Sequence, residues 1–262
     1  MKIITSDTIL RKYIQNVEVT ITGDIPFFDR IKSELISAEM FIESLLFPLE
    51  SVSDVDSVDL LGKAIACHAF ALAIPQLDLY LTSNGFGIVS NGNTAPASKD
   101  RVAALVESMY KTRDESIQAL ILKHASVPSI ASHYYDTLFV GFEAQERLAS
   151  KHRYEDWLLQ HVEVIDIEAR IAYQYISTTL MARLRATTGL TTEEQQLKDR
   201  LKAIILDSIN RSGELPKDRL LACVNTIKQT PSLYQQWANT LTANIYKDYT
   251  FKNDKSKGGF WL

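Results

Sequence analysis

Apolar residues recur every three or four positions along most of the chain, the spacing that turns one face of a helix toward a core. The first run opens at Thr5 or Ser6 and carries Ile9, Leu10, Tyr13 and Ile14. Thr20-Ile21-Thr22-Gly23 interrupts it. Asp24-Ile25-Pro26 starts a second helix, with the proline near the first turn, where its missing N–H costs nothing. Ile31, Leu35, Ala38, Ile42 and Leu45 make that helix's stripe. The acidic stretch Glu50–Asp56 reads as a loop ending in an N-cap, because Asp and Ser can accept from unpaired first-turn amides. A third helix, about Asp59 to Pro75, is apolar nearly all round and should be the most buried element.

The period then changes. Leu77 to Thr82 alternates with period two, and Phe86 to Ser90 is β-prone. Asn84-Gly85 between two such runs is a hairpin signal. The pattern predicts a β-hairpin arm at about residues 77–97, inserted between helices. Ser98 caps a long helix to about His124. Ser126-Val127-Pro128-Ser129 is the best linker candidate. Beyond it come a helix near Tyr135–Ser150 and a long one from about Tyr154 to Ala186, which Gly189 ends. Thr191-Thr192-Glu193-Glu194 is a capping box opening a helix that closes at Gly213. Pro216 begins a shorter helix, and Thr230-Pro231 a final one to about Tyr249. Residues 250–262 read as a flexible, basic tail with the aromatic tip Phe260-Trp261-Leu262.

This predicts an all-α fold of two small helical units, 1–126 with the arm and 127–249 without it. Lys99-Asp100-Arg101-Val102 echoes Lys217-Asp218-Arg219-Leu220, and each follows a largely apolar helix. A diverged tandem duplication explains this; so does chance similarity among amphipathic helices.

Composition narrows the class. Hydrophobic residues make up 46% of the 262 and charged residues 23%, which is ordinary for a soluble globular protein. Glycine (10) and proline (7) are too few for the turns of an all-β sandwich or barrel. A formal net charge of −4 supplies no global basic field for nucleic acid. Cys67 and Cys223 lie far apart in apolar helical patterns, so a reducing compartment is expected and a disulfide framework is not. The start has no apolar core of signal-peptide length, and Ala64 to Ile74 is shorter than the roughly 20 residues of a membrane span.

Signals for chemistry are few. The five histidines, His68, His124, His133, His152 and His161, form neither HExxH nor ExxH. His68 reads as a core histidine, and His152 and His161 as surface ones. Gly85-Phe86-Gly87 lacks the Lys-Ser/Thr of a phosphate loop and the third glycine of a dinucleotide loop. No GxSxG elbow is present. The expectation is a non-enzymatic protein with no catalytic, cofactor-binding or metal residues. An α-helical enzyme built from scattered carboxylates and histidines is the alternative from another class.

The arm carries more information. From Thr82 to Ser98 there is no charged residue, and an unblunted β edge invites pairing with another chain. Asn84, Gly85, Phe86, Gly87, Ile88, Val89, Asn91 and Gly92 are the expected contact with another copy or partner. An ordinary connection packed on its own domain is the other reading. Phe260, Trp261 and Leu262 either anchor in a partner pocket or pack back on the domain.

The run Asn84–Asn91 (NGFGIVSN) followed by Ala95–Val102 (APASKDRV) resembles an uncharacterised family encoded in prophage-like regions of Bacteroidetes. Ala73–Asp78 and the Ile167-Glu168 and Tyr175-Ile176-Ser177 stretches are similar to that family as well. The helical layout of the first half is similar to head–tail connector (head-completion) adaptors of tailed phages. The resemblance implies a virion-assembly protein that forms ring-like homo-oligomers and binds portal or tail proteins. It implies residence in the bacterial cytoplasm during assembly and then in the virion, with neither nucleic acid nor membrane as a direct partner. The chain is about twice the length of a single-unit adaptor, and its second half lacks the arm. A non-virion helical binding module is the runner-up.

Overall fold

The computed structural model describes residues 2–15, 25–48, 52–77, 79–82, 85–88 and 98–247. They form an all-α protein that divides into two compact units, Met1–Val162 and Glu163–Leu262.

Unit 1 opens with α1 (Asp7–Tyr13), where the Ser6 hydroxyl accepts from the Ile9 amide at 3.4 Å. The second helix is not continuous. α2 (Phe27–Arg30) follows Pro26, which sits just ahead of the helix, and Ile31 leaves helical geometry before α3 (Lys32–Leu45). The carboxylate of Glu39 on α3 is buried and accepts from the Lys2 amide at 2.8 Å and the Ile3 amide at 3.0 Å. That fixes the start of the chain on α3. The third helix, α4 (Val55–Ala73), is capped by Asp54, which accepts from the Ser57 amide at 3.0 Å. The Lys123 ammonium and that capping bond hold the Asp54 carboxyl well below the usual carboxylate range.

As its nearly all-round apolar pattern requires, α4 is buried over most of its length, between α3 and α5 (Lys99–Lys123). Leu61 and Ile65 of α4 meet Leu35 and Ile42 of α3 and Ile117, Leu120 and Ile121 of α5 in one core. Val55–Gln76 is long and apolar enough to cross a membrane by length and composition, with mean hydropathy 1.5, and 61% of its most apolar window is buried. The apolar count over Ala64–Ile74 underestimated this element because Ser57, Lys63 and His68 interrupt the run without ending the helix.

After α4 and a 3-10 turn (Ile74–Gln76), β1 (Leu79–Thr82) pairs antiparallel with β2 (Gly85–Ile88). The register runs from Leu79 opposite Ile88 to Thr82 opposite Gly85, leaving a two-residue connection. Of the segment 77–97 read as an arm, residues 78, 83, 84 and 89–97 lie outside the described residues.

Ser126–Ser129 is not a linker. Pro128 starts α6 (Pro128–Tyr134), and Ser129 and Tyr134 donate to the carbonyls of Leu46 and Leu45 at 2.9 and 3.1 Å. Those bonds tie the segment to the end of α3. Ile130, Tyr134, Phe142 and Trp157 complete the core of unit 1, so the boundary expected at 126–127 falls inside it.

The helix expected over 135–150 shrinks to α7 (Glu143–Arg147). Before it, Gly141 has φ +54° and packs so closely on Gln118 that a Cβ there would lie 2.3 Å from Oε1. The Gln118 amide accepts from Phe142 N at 2.8 Å and donates to Val140 O at 3.2 Å, replacing helical bonds with a pinned loop.

The long helix expected to Ala186 is α8 (Arg153–Ile171), a π turn (Ala172–Ile176) and α9 (Thr178–Leu184). Ser177 breaks it at φ 75° and caps α9 through its hydroxyl.

In unit 2, α10 (Thr192–Asn210) begins with the expected capping box of Thr191 and Glu194. Glu194 is further clamped by Arg183 at 3.0 and 2.9 Å. The core joins Leu180 and Leu184 of α9, Leu201 and Ile205 of α10, and Val224 and Ile227 of α11 (Lys217–Gln229). The final helix expected to Tyr249 is a 3-10 turn (Pro231–Leu233) followed by α12 (Gln235–Ala238) and α13 (Leu241–Ile245). Trp237 donates to Tyr175 O at 3.1 Å, which sets the bend between them.

The tandem duplication finds no support. α5 runs 25 residues against 13 for α11, and the helix preceding α4 has as its counterpart a segment that breaks at Ser177.

Candidate functional site

Gly85, Phe86, Gly87 and Ile88 form β2, whose backbone pairs with β1 alone among the described residues. Asn84, Val89, Asn91 and Gly92 lie outside the described residues, as do Phe260, Trp261 and Leu262.

The histidines fall into separate settings within unit 1. His68 on α4 is buried, stacked on Phe41 with ring centroids 4.3 Å apart. Its Nδ1 lies 3.1 Å from Nη1 of Arg113. A guanidinium has no acceptor, so Nδ1 must accept and the neutral ring carries its proton on Nε2. Burial, reinforced by the Arg113 charge, lowers the His68 pKa to about 4. The core assignment of His68 therefore holds. Its partner, however, was not legible from its own helix.

Arg113 itself is fully buried on α5 and centres the most polar part of the core. Nε donates to Asp114 Oδ1 at 2.7 Å and Nη2 to Glu155 Oε2 on α8 at 2.8 Å. Asp114, also fully buried, accepts from the Tyr154 amide at 3.3 Å through its other oxygen. The Arg113 guanidinium lies 4.6 Å from the Tyr110 ring centroid, with Phe41 and Tyr154 at 5.7 and 5.8 Å. Burial raises the Asp114 carboxyl even against the pull of Arg113. Burial also opposes ionisation of Glu155, but the Arg113 hydrogen bond and charge outweigh it and hold that carboxyl below its ordinary value.

Each bond of the guanidinium goes to a different element, α4, α5 or α8. The cluster works chemically as a staple: each of the three guanidinium nitrogens donates to an acceptor on one of these helices. Sequence reasoning missed it, although a signal existed. Arg113 continues the stripe of Ile117, Leu120 and Ile121 toward the N-terminus of α5, where an apolar residue is due.

His161 is not a free surface residue. Its ring packs against Trp157 one turn earlier, tilted by 33° with centroids 4.6 Å apart, and Nε2 lies 3.0 Å from Asp136 Oδ2. His133 approaches the edge of the same Trp157 at 5.1 Å, while His152 is set against Tyr110 at 5.6 Å. Among the described residues no group of three or more His, Cys, Asp and Glu is placed to hold a metal ion. Cys67 and Cys223 are buried free thiols, and burial pushes the Cys67 thiol up to about 11.

Two features bear on partners. On α8, Leu158, Leu159 and Val162 are 52%, 79% and 72% exposed, an apolar cluster one helical turn long with its back to Trp157. A separate cleft of about 290 Å³ is lined by Glu107, Lys111, Glu146, Lys151 and Arg153, cations and carboxylates together. Arg153 there is engaged with Glu146 at 2.8 Å, so the cleft carries no strong field of one sign.

No curated protein and no solved structure matches the chain. Residues 25–122, which run from α2 through the β1–β2 ribbon to the end of α5, match the family described as a family of unknown function, DUF6712.

Proposed function

We propose that this chain is a phage or prophage structural protein, a non-enzymatic adaptor of the head–tail connector type. It self-associates and binds neighbouring virion proteins through an arm built on β1 and β2. The reading rests on one observation above all: the two strands pair with each other alone among the described residues. Each keeps an outer edge of backbone donors and acceptors, and such an edge adds readily to a strand of another chain.

The composition of the segment supports this reading. No charged residue occurs between Thr82 and Ser98, and Pro96 is the first residue that would blunt an edge. Strand addition needs backbone hydrogen bonds for affinity, with Phe86, Ile88 and Val89 supplying the fit. The segment also lies inside the stretch 25–122 that matches DUF6712, so it belongs to the part of the chain with relatives. The exposed Leu158, Leu159 and Val162 offer a second apolar surface of the kind that marks contacts with other proteins. In this reading the protein works in the bacterial cytoplasm during assembly and then in the particle.

Sedimentation velocity on the full chain and on a variant lacking Asn84–Asn93 tests the arm. The full chain is expected to associate as concentration rises. The deletion variant is expected to stay monomeric with an unchanged helical circular dichroism spectrum. Equal association of the two proteins contradicts the arm's role, and so does a full chain that remains monomeric throughout.

A further inference from the structure

The first half of α8 is apolar on two sides. Trp157 turns inward and belongs to the core of unit 1. On the outward side Leu158, Leu159 and Val162 stay largely in water, the last two 79% and 72% exposed. Leu158 and Leu159 each lie one turn before Val162, so the three form one continuous stripe.

The rim of that stripe is acidic. Glu155 lies one turn before Leu158 and Leu159, and its side chain is 46% exposed. Asp156 lies one turn before Leu159 as well. On the other flank, His161 is one turn after Leu158 and holds Asp136 at 3.0 Å. Arg113 offsets Glu155 from within the core, but neither Asp136 nor Asp156 pairs with a lysine or arginine among the described residues. No lysine or arginine occurs from Tyr154 to Val162. Arg153 lies one turn before Trp157, on its inward side, and is held by Glu146 at 2.8 Å.

We propose that this stripe docks a basic amphipathic helix of another protein. Charge complementarity selects that occupant. Lysines or arginines beside the partner's apolar stripe meet Glu155, Asp156 and Asp136, while its apolar side chains cover Leu158, Leu159 and Val162. A second copy of the chain, laid on the stripe by its own α8, brings the same acids face to face and loses affinity. An anionic lipid surface is repelled for the same reason. The inference is independent of the adaptor reading and uses no residue of the β1–β2 ribbon.

Fluorescence anisotropy of the full chain with a labelled synthetic helix of leucine and lysine at helical spacing tests it. This peptide is expected to bind, and its counterpart with glutamate in place of lysine is not. Raising the salt from about 0.05 to about 0.5 M should weaken binding several-fold, because the rim charges face water. The double variant Leu159→Ser, Val162→Ser alters only exposed positions and should keep its helical circular dichroism, yet bind about tenfold more weakly. In the parent, the Leu158, Leu159 and Val162 methyl resonances are expected to shift as the lysine peptide is added. No binding up to about 1 mM peptide, equal binding by the double variant, equal binding of the glutamate peptide, or unmoved methyl resonances overturn the inference. So does self-association of the parent, or its binding to phosphatidylglycerol vesicles, that the double variant abolishes, since a second copy or a membrane then covers the stripe.

Discussion

Replacing Arg113 by alanine is expected to destabilise unit 1 by about 3–5 kcal/mol, the usual cost of removing one partner from a buried ion pair. At about 2–4 °C per kcal/mol for a unit of this size, the thermal midpoint falls by roughly 6–20 °C. The physical reason lies in what stays behind. Asp114 is fully buried and would keep only the Tyr154 amide as a partner in place of Arg113. His68 would lose the donor to its Nδ1, and α8 would lose its hydrogen bond from α5 through Glu155. Arg113→Lys should recover little, because a single ammonium cannot serve acceptors on three elements in fixed directions. Glu155→Gln should cost far less, since that side chain is 46% exposed and screened by water. Urea denaturation of the three variants checks the order. An alanine variant within about 1 kcal/mol of the parent would show that the guanidinium does not join these elements.

The second large effect is on pH. In the folded protein the His68 pKa is depressed from 6.5 to about 4, first by burial and then by the Arg113 charge. Below its ordinary value the unfolded chain takes up a proton that the folded chain refuses. Stability therefore falls as pH drops from about 6.5 to about 4, and this group contributes no slope above that window. A shift of that size corresponds to about 3 kcal/mol. His68→Asn keeps an acceptor for Arg113 but does not titrate. Its stability should lose that part of the slope between pH 7 and pH 4. Parallel profiles for parent and variant contradict the assignment.

How much of this was legible in the sequence follows the range of the interaction involved. Helix starts set by local hydrogen bonds were readable: Ser6, Ser98 and Thr191 cap where the sequence predicts, while Asp54, inside the stretch read as a loop, starts α4 at Val55, about four residues before the expected Asp59. The deep burial of α4 was readable too, because an apolar residue on every face leaves no side for water. Bonds between distant segments were not. Nothing local announces that Tyr134 will reach the Leu45 carbonyl, 89 residues away in sequence, and bring 128–162 into unit 1. Nor does periodicity reveal the break at Ser177, since the apolar pattern runs through it.

The histidines teach the same lesson at closer range. The sequence reads His152 and His161 as surface residues. Trp157 and His161, four residues apart, share one helical face, and that spacing is the local signal for their ring contact. The Arg113 cluster joins residues 45 and 42 positions apart along the chain, and only the misplaced cation in an apolar stripe hinted at it.

Unit 1 has a core of α3, α4 and α5 joined to α8 by Arg113, and β1 and β2 follow α4 after the 3-10 turn Ile74–Gln76. A packed helical core that carries a strand edge suits the proposed role of a part that joins others in a particle. Mass spectrometry of particles purified after inducing a prophage that encodes this chain tests it most directly. The account predicts the chain in near-stoichiometric ratio to the portal protein. Particles containing capsid and portal protein but lacking this chain would contradict it.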